Sequence, residues 1–262
     1  MMKIVVCIKQ VPDTTEVRID PQTGTMIREG VKSIINPDDL GGLEAALRIK
    51  DQNNAQVIAL TMGPLQADIA LREAIAMGVD RAILLSDRLF AGADTWATSL
   101  CLSKAIELIK PDLIITGRQA IDGDTAQVGP QIAEHLNIPS VAYVNEINLE
   151  NDFFIVKRMF EDGYQMIRLK TPCLFTILKE INESRYMRVG KIYKAFAPEL
   201  VEIWDASLLK LDPEELGLKG SPTKVKKSYT KGVKTAGKVF ELDSKEASRV
   251  IVEKLKENYI LS

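Results

Sequence analysis

A segment at residues 117–129 holds the densest group of residues able to do chemistry in this 262-residue chain: Gly-Arg-Gln-Ala-Ile-Asp-Gly-Asp-Thr-Ala-Gln-Val-Gly. It follows an apolar run and precedes a helical pattern, so a ligand there would meet the free N–H groups of a helix start. The small Thr125 and Ala126 leave room for a phosphate, and Gly123 permits backbone conformations closed to other residues. The segment predicts a phosphate-binding turn, although a capped helix after a tight turn explains the same residues.

The polar side chains of this segment have two predicted uses. Asp124 or Thr125 can cap the helix that follows, because their oxygens accept hydrogen bonds from its first N–H groups. Arg118 and Gln127 add side-chain donors for an anion.

Three shorter groups are expected at the same edge of the fold. Cys7-Ile8-Lys9 ends a strand-like run, 61–64 (Thr-Met-Gly-Pro) follows another, and 36–39 (Asn-Pro-Asp-Asp) supplies capping side chains to a helix. In a doubly wound sheet, ligands bind beyond the carboxyl ends of the strands, where helices begin. These groups are therefore candidates for the same ligand site as 117–129.

Several kinds of catalytic and binding site are poorly supported. The chain has one histidine, His135, which we interpret as a structural residue near a helix end, and three scattered cysteines, Cys7, Cys101 and Cys173. A His-dependent hydrolase, a multi-His metal site, a Cys-based zinc site and a disulfide framework are thus not expected. Neither G-x-G-x-x-G after the first strand nor G-x-x-x-x-G-K-[ST] is present. Chemistry done by a bound cofactor fits better than chemistry done by side chains.

The elements that must position these groups alternate along the first half of the chain. Strands are predicted at 3–9, 56–62, 81–86 and 112–117, and helices after 36–39 and at 64–77, 94–109 and 125–136. Strands alternating with helices of this length predict a doubly wound, mostly parallel α/β sheet with helices on both faces.

From residue 141 the pattern changes. Three strand-like runs occupy 153–159, 164–169 and 172–178, and Glu161-Asp162-Gly163 between the first two contains a hairpin signal. We therefore expect these runs to form an antiparallel extension of the sheet.

The last part of the chain is basic. Thirty-four Lys+Arg against thirty-six Asp+Glu give a net charge of −2, but 217–240 contains seven Lys and no acid. This segment is either a mobile tail or an arm ordered against a partner chain, and an amphipathic helix at 244–259 follows it. We predict two parts, an α/β domain at 1–216 and a lysine-rich arm with its helix at 217–262.

The overall charge gives no case for nucleic acid or an anionic membrane surface as a partner. No apolar run approaches the roughly 20 residues that span a bilayer, so membrane insertion is not expected. The N-terminus lacks the pattern of a signal peptide, so we expect a cytoplasmic protein.

Taken together, these motifs resemble the beta subunit of electron-transfer flavoproteins over essentially the whole chain. The most specific match is G-R-Q-A-I-D-G-D-T-A-Q-V-G-P, which begins at Gly117. Shorter matches are K-Q-V-P-D-T, I-N-P-D-D, L-E-A-A-L, T-M-G-P, A-M-G-V-D-R-A, R-Y-M-R-V-G-K-I-Y-K-A and S-P-T-K-V.

The resemblance implies a Rossmann-like nucleotide-binding domain paired with an alpha subunit that carries FAD, with the C-terminal arm wrapped on that subunit. Family beta subunits hold AMP in simple electron carriers, or a second FAD in electron-bifurcating members. The nucleotide contacts carried over are Cys7, Asn36, Pro37, Asp38, Asp39, Met62, Gly117, Arg118, Gln119, Asp122, Gly123, Asp124, Thr125, Ala126, Gln127 and Val128.

Simple carriers tend to have a bulkier, more acidic version of the 122–127 block, so this chain resembles the bifurcating kind. The resemblance then implies that NADH reduces a beta-site FAD. One electron passes through the alpha-subunit FAD to a flavin-containing dehydrogenase, and the other to ferredoxin or flavodoxin.

The family also docks its dehydrogenase through a loop that inserts one apolar side chain. The matching stretch is 184–194, with Val189 at the inserted position and Arg185 and Tyr186 beside it. Valine buries less apolar surface than the Leu or Ile often found there, by about one methylene or ~0.8 kcal/mol. A plain surface loop is the alternative.

Three other functions stay open at this point. The first is a non-bifurcating carrier with structural AMP, and the second a universal-stress-type nucleotide-binding regulator, which gives no role to the C-terminal arm. The third is an ATP-dependent amidating or adenylylating enzyme. That enzyme needs a Ser-Gly-Gly-like loop after the first strand, where this chain has Val11-Pro12-Asp13-Thr14.

Overall fold

The computed structural model describes residues 1–13, 18–19, 26–27, 32–151, 153–224 and 237–261, and it divides into two compact units, Met1–Lys227 and Ser228–Ser262. The strands are β1 Met2–Cys7, β2 Gln10–Pro12, β3 Arg18–Ile19, β4 Met26–Ile27, β5 Ser33–Ile35, β6 Ala55–Met62, β7 Arg81–Leu85, β8 Leu113–Gly117, β9 Ser140–Glu150, β10 Phe153–Met159, β11 Tyr164–Lys170, β12 Cys173–Ile177 and β13 Val201–Trp204. The helices are α1 Pro37–Gln52, α2 Asp68–Met77, α3 Thr95–Ile109, α4 Val128–Leu136, α5 Val189–Ala195, α6 Ala206–Leu209, α7 Gly217–Gly220 and α8 Ser244–Glu257.

One sheet of nine strands, in the order β11-β10-β9-β12-β8-β1-β6-β7-β13, organises the described part of the first unit. All neighbours from β9 to β13 pair in parallel, and β9–β10 and β10–β11 pair antiparallel. Ile4, Val5 and Val6 in the central β1 have no exposed surface. Their continuous apolar run is what a strand covered on both faces requires.

The order of connections creates a switch point beside β1. From β1 the chain proceeds outward through β6 and β7, and then returns to place β8 on the other side of β1. The two strands lie in register, with Val6 opposite Ile115. Because helices following β1 and β8 leave in opposite directions, a crevice opens at their carboxyl ends.

Two hydrophobic clusters cover the two faces of the sheet. Leu43 and Leu47 of α1 and Leu71 of α2 belong to one cluster. Cys101 and Ile106 of α3, with Ile132 of α4, belong to the other. The doubly wound α/β prediction is therefore confirmed.

The antiparallel prediction is confirmed in part. The Asp-Gly pair lies in the β10–β11 hairpin, where the N–H of Phe160 donates to the carbonyl of Gly163 at 2.9 Å. The prediction was wrong for the run at 172–178, because β12 inserts in parallel between β8 and β9. All five residues of β12 are buried, as in the parallel core strands.

Helix α2 begins later than predicted. Pro64 has an extended backbone, with φ −66° and ψ 162°, and a short 3₁₀ turn at Leu65–Ala67 precedes the α-helix at Asp68. The edge strand β13 and the small β2–β5 ladder were not predicted, because both are too short to show a clear alternation.

The start of the predicted arm packs within the first unit, whose boundary falls after residue 227. Gly217 adopts φ +52°, and a Cβ there would lie 2.2 Å from the carbonyl oxygen of Leu89, so only glycine fits. Residues 225–236 of the lysine-rich segment lie outside the described residues. In the second unit, Asp243 caps α8 by accepting from the N–H groups of Lys245 and Glu246. The arm and its docking stay predictions.

Among the described helices, none combines the length and the apolar character needed to cross a bilayer.

Candidate functional site

Asp39, in the first turn of α1, joins the carboxyl ends of β1 and β8. Its Oδ2 accepts from the N–H of Lys9 at 2.8 Å, and its Oδ1 accepts from the N–H of Gly117 at 3.0 Å. Burial raises the pKa of Asp39 to about 7, against the opposing effect of these hydrogen bonds. A Cβ on residue 117 would lie 2.2 Å from Asp39 Oδ1, so Gly117 permits this close approach.

Asn36 binds the loop after β8. It occupies the N-cap position of α1, but its side chain makes no cap hydrogen bond, which corrects the capping prediction for 36–39. Its Nδ2 instead donates to the carbonyl of Gln119 at 2.8 Å, and its Oδ1 accepts from the N–H of Ile121 at 3.0 Å. A fully buried amide paired on both sides fixes the loop against the start of α1.

Arg118 and Asp38 form a close pair beside this loop. Arg118 Nε lies 3.3 Å from Asp38 Oδ2, yet neither buried atom has a well-directed hydrogen bond within the described chain. Asp38 Oδ1 accepts from the N–H of Lys179 at 3.2 Å, so that carboxylate is held in place. The Arg118 side chain is one-third exposed (33%), so part of its guanidinium is accessible to a ligand.

The loop itself is closed by its own contacts. Asp122 pairs with Lys9, with Nζ–oxygen distances of 2.7 and 2.9 Å, and Gln119 Nε2 donates to Asp124 Oδ1 at 2.8 Å. Asp124 and Ala126 adopt left-handed backbones, with φ 50° and 53°. Gly123 does not, so the backbone freedom that this glycine permits is not used here. A Cβ on Gly123 would meet no atom of the described residues within 4 Å, so among these residues this side of the loop is open.

Helix α4 begins at Val128, three residues later than predicted. The left-handed Ala126 ends the loop, and Gln127 becomes the N-cap without a side-chain cap hydrogen bond. The prediction that Asp124 or Thr125 caps this helix was therefore wrong. The first N–H groups of α4 consequently lack a capping side chain and can serve an anion.

Glycine at position 129 lets the start of α4 approach the sheet closely. A Cβ there would lie 2.6 Å from Thr116 Oγ1 and 2.8 Å from Thr176 Cγ2. The helix start is thereby set directly over β8 and β12.

Cys7 and Met62 end β1 and β6, which are neighbours in the sheet. Cys7 is buried, and burial first, then the charge of Asp39, raises the pKa of its thiol well above the ordinary value. It is a neutral strand residue and not a reactive thiol. Met62 is half-buried, one strand away from the cluster formed by Asn36, Asp39 and the loop.

Sequence reasoning missed Thr95 as a neighbour of the loop. Its hydroxyl donates to Gln127 Oε1 at 3.0 Å. Thr95 is the first residue of the helix that follows β7. Since ligands bind beyond the carboxyl ends of the strands, a search of the segment after β7 would have found it.

His135 has the structural surroundings that the sequence predicts. Its Nε2 lies 3.1 Å from Ser99 Oγ, and its ring packs edge-on against Trp96 with centroids 4.6 Å apart. Burial lowers its pKa below the ordinary value.

The predicted docking loop is held by Arg185 at one end, and from Val189 onward it is helix α5 and not a loop. The Arg185 side chain donates to Glu44 at 2.8 and 3.1 Å and to Asp51 at 2.8 Å, so it binds α1 and does not project freely. Burial alone would raise the pKa of Glu44, but hydrogen bonds from Arg185 and Arg48 outweigh it and lower that pKa. Tyr186 is 96% exposed and Val189 is 83% exposed. Their contact with a partner stays a prediction.

A family model for the electron transfer flavoprotein domain matches residues 23–206, more than half of the chain. The chain belongs to the electron transfer flavoprotein family. It is 56% identical to the electron transfer flavoprotein subunit beta of Clostridium acetobutylicum, over 99% of this chain and 100% of the relative. It is 53% identical to the caffeyl-CoA reductase-Etf complex subunit CarD of Acetobacterium woodii, with the same coverage. It is 46% identical to the acryloyl-CoA reductase electron transfer subunit gamma of Anaerotignum propionicum, again over 99% and 100%. The chain is thus an electron-transfer beta subunit, and the universal-stress and amidating alternatives lose their support.

Proposed function

We propose that this beta subunit holds FAD at the β1–β8 switch point and that, with an alpha subunit, it takes electrons from NADH and bifurcates them. The observation that carries the proposal is the loop at 117–128, whose small residues lie before an uncapped helix start. That FAD and not AMP occupies the site is part of the proposal.

The residues present fit a dinucleotide. The Cβ direction of Gly123 is open, and Thr125 and Ala126 add little bulk beside the first N–H groups of α4. Arg118 pairs with Asp38 through Nε at 3.3 Å, and one-third of its side chain is exposed, so a cationic side chain lies at the site. Lys9 adds a second cation at the end of β1, where it pairs with Asp122. These groups suit a pyrophosphate better than a neutral ligand.

The parts of the chain have separable tasks toward this cofactor. Asn36 and Asp39 fix the loop and the strand ends, Arg118 offsets phosphate charge, and Cys7 and Met62 present neutral surface. The remaining proposed contacts are Pro37, Asp38, Gly117, Gln119, Asp122, Gly123, Asp124, Thr125, Ala126, Gln127 and Val128. Bound FAD supplies hydride acceptance from NADH and the release of single electrons to two acceptors.

The names of two relatives support the proposed partners. One belongs to a caffeyl-CoA reductase-Etf complex, and the other is an electron transfer subunit of an acryloyl-CoA reductase. We propose that a flavin-containing CoA dehydrogenase or reductase receives one electron, with the exposed Val189 inserted into it. Ferredoxin or flavodoxin is the proposed low-potential acceptor, and the cytoplasm is the proposed location.

The test reconstitutes the purified alpha–beta heterodimer with NADH, ferredoxin, a partner dehydrogenase and its oxidised CoA substrate. Bifurcation predicts ferredoxin reduction that requires both the dehydrogenase and that substrate. Ferredoxin reduction independent of them, or its absence while the substrate is reduced normally, would contradict the proposal.

A further inference from the structure

Asp94 joins the segment after α7 to the start of α3. Its backbone N–H donates to Ser221 Oγ at 2.8 Å. Its Oδ2 accepts from the N–H and the hydroxyl of Thr223, at 2.9 and 2.7 Å. Its Oδ1 accepts from the N–H of Ala97 at 3.1 Å and so caps α3. Asp94 therefore holds the helix start and Thr223 through its carboxylate, and Ser221 through its backbone N–H.

The next residue connects this group to the loop before α4. Thr95 is the first residue of α3, and its hydroxyl donates to Gln127 Oε1 at 3.0 Å. Because the Asp94 cap fixes the first turn of α3, it also fixes the position of the Thr95 hydroxyl. We call Thr223, Asp94, Thr95 and Gln127 the Asp94 network.

The segment at 221–223, which contains Thr223 of the network, is fixed by further hydrogen bonds. Ser221 is buried, and its hydroxyl donates to the carbonyl of Gly217 at 2.7 Å. Burial would raise the pKa of Asp94, but hydrogen bonds from Thr223 and Ala97 outweigh it and hold that pKa below its ordinary value. The contacts of Thr223 are therefore hydrogen bonds to a charged carboxylate, which are the stronger kind.

We propose that Asp94 is a positioning residue that fixes Gln127 at the nucleotide site through Thr95, so that nucleotide retention depends on residues 221–223 being in place. This inference rests on the proposed function, in which Gln127 contacts the nucleotide. Residues 221–223 lie within the lysine-rich segment 217–240 that is predicted to dock on the alpha subunit. Binding of that partner and binding of the nucleotide would then share one set of hydrogen bonds.

The test measures release of the beta-site nucleotide from the full heterodimer after dilution. Thr223→Val keeps the shape of the side chain but removes the hydroxyl that donates to Asp94, and it should weaken nucleotide binding about tenfold. Thr223→Ser keeps the hydroxyl and should restore the wild-type dissociation constant. Asp205→Asn, which alters the cap of α6, is the matched control and should leave nucleotide binding unchanged.

A double-mutant cycle separates positioning from general destabilisation. Thr95→Val breaks the link to Gln127, so adding Thr223→Val to it should cause no further loss of affinity. Unchanged affinity in Thr223→Val, or additive losses in the double variant, would overturn the inference.

The cycle also separates this inference from the FAD proposal. If the wild-type heterodimer carries AMP at the beta site, the FAD proposal fails, and the same cycle with AMP as the probe still tests the network. A wild-type heterodimer that binds neither nucleotide would overturn both.

Discussion

The loop at 117–128 and the loop at 184–194 are built in opposite ways. In the first, the side chains of Lys9, Asn36 and Thr95, from three other segments of the chain, bind the loop backbone or its side chains, and two residues have left-handed backbones. In the second, Arg185 holds one end, and helix α5, which begins at Val189, is held at its far end by Arg72, which donates to the carbonyl of Ala195 at 2.8 Å. Between these ends, Tyr186 and Val189 project into solvent. A loop whose backbone and side chains are bound by several segments suits a small ligand that needs set geometry, and a segment with held ends and exposed side chains between them suits insertion into a partner.

A bulky substitution in the loop at 117–128 should have the largest effect, on the affinity for the beta-site nucleotide. Ala126→Trp places a large ring where the pyrophosphate is proposed, on a left-handed backbone that suits it poorly. We expect loss of the beta-site nucleotide, more than about 100-fold in affinity, while the alpha-subunit FAD stays bound. Nucleotide analysis of the denatured heterodimer measures this. Normal flavin content in this variant would contradict the placement of the pyrophosphate.

The second loop should depend on Arg185 for stability. Arg185→Gln removes the main partner of the buried Glu44, and we expect a loss of about 2 kcal/mol in the free energy of unfolding at pH 7. Because the folded-state pKa of Glu44 lies below its unfolded value, the stabilisation is present above the unfolded pKa and disappears as the pH falls through the folded one. Urea unfolding at pH 7 and at acid pH should show the two proteins converging at low pH. A constant difference would contradict the ion-pair account.

Changing the exposed tip should affect the partner reaction alone. Val189→Glu should slow electron delivery to the dehydrogenase about tenfold, or ~1.4 kcal/mol, without changing flavin reduction by NADH. The side chain is 83% exposed, so the free energy of unfolding should change by less than about 0.5 kcal/mol. Val189→Leu is the matched control and should deliver electrons at least as fast as wild type. If the Val189→Glu protein delivers electrons to the dehydrogenase at the wild-type rate, residues 184–194 are a plain surface segment and do not dock the dehydrogenase.

The smallest effect should be on the free energy of unfolding, when the left-handed residue 126 is replaced by glycine. Ala126→Gly removes the cost of a left-handed alanine but adds freedom to the unfolded chain, so we expect a net gain of about 0.5 kcal/mol in stability. Ala74→Gly, in the interior of α2, is the control and should lose about 1 kcal/mol. Thermal unfolding of both variants measures the difference. Destabilisation by Ala126→Gly would contradict the left-handed assignment.

The sequence predicts the elements and the edge of the sheet that carries the site. Long apolar runs such as β1 and β6 are strong local signals for strands. Ligands in such a sheet bind beyond the carboxyl ends of the strands, which selects 36–39 and 117–128 as site segments. In the structure, hydrogen bonds join these two segments.

The details of the site depend on contacts between distant residues, which local patterns do not record. Asn36 has the sequence of a cap but binds a loop more than eighty residues away, and the left-handed backbones of that loop are at Asp124 and Ala126 and not at Gly123. The parallel insertion of β12 is equally invisible, because an apolar run does not encode its pairing partner.

The most direct test of the account is the nucleotide content of the purified wild-type heterodimer. The proteins are denatured, and the released flavins and adenine nucleotides are counted per heterodimer. The account predicts two FAD, one from each subunit. One FAD together with one AMP would contradict FAD at the β1–β8 edge and, with it, the proposed bifurcation.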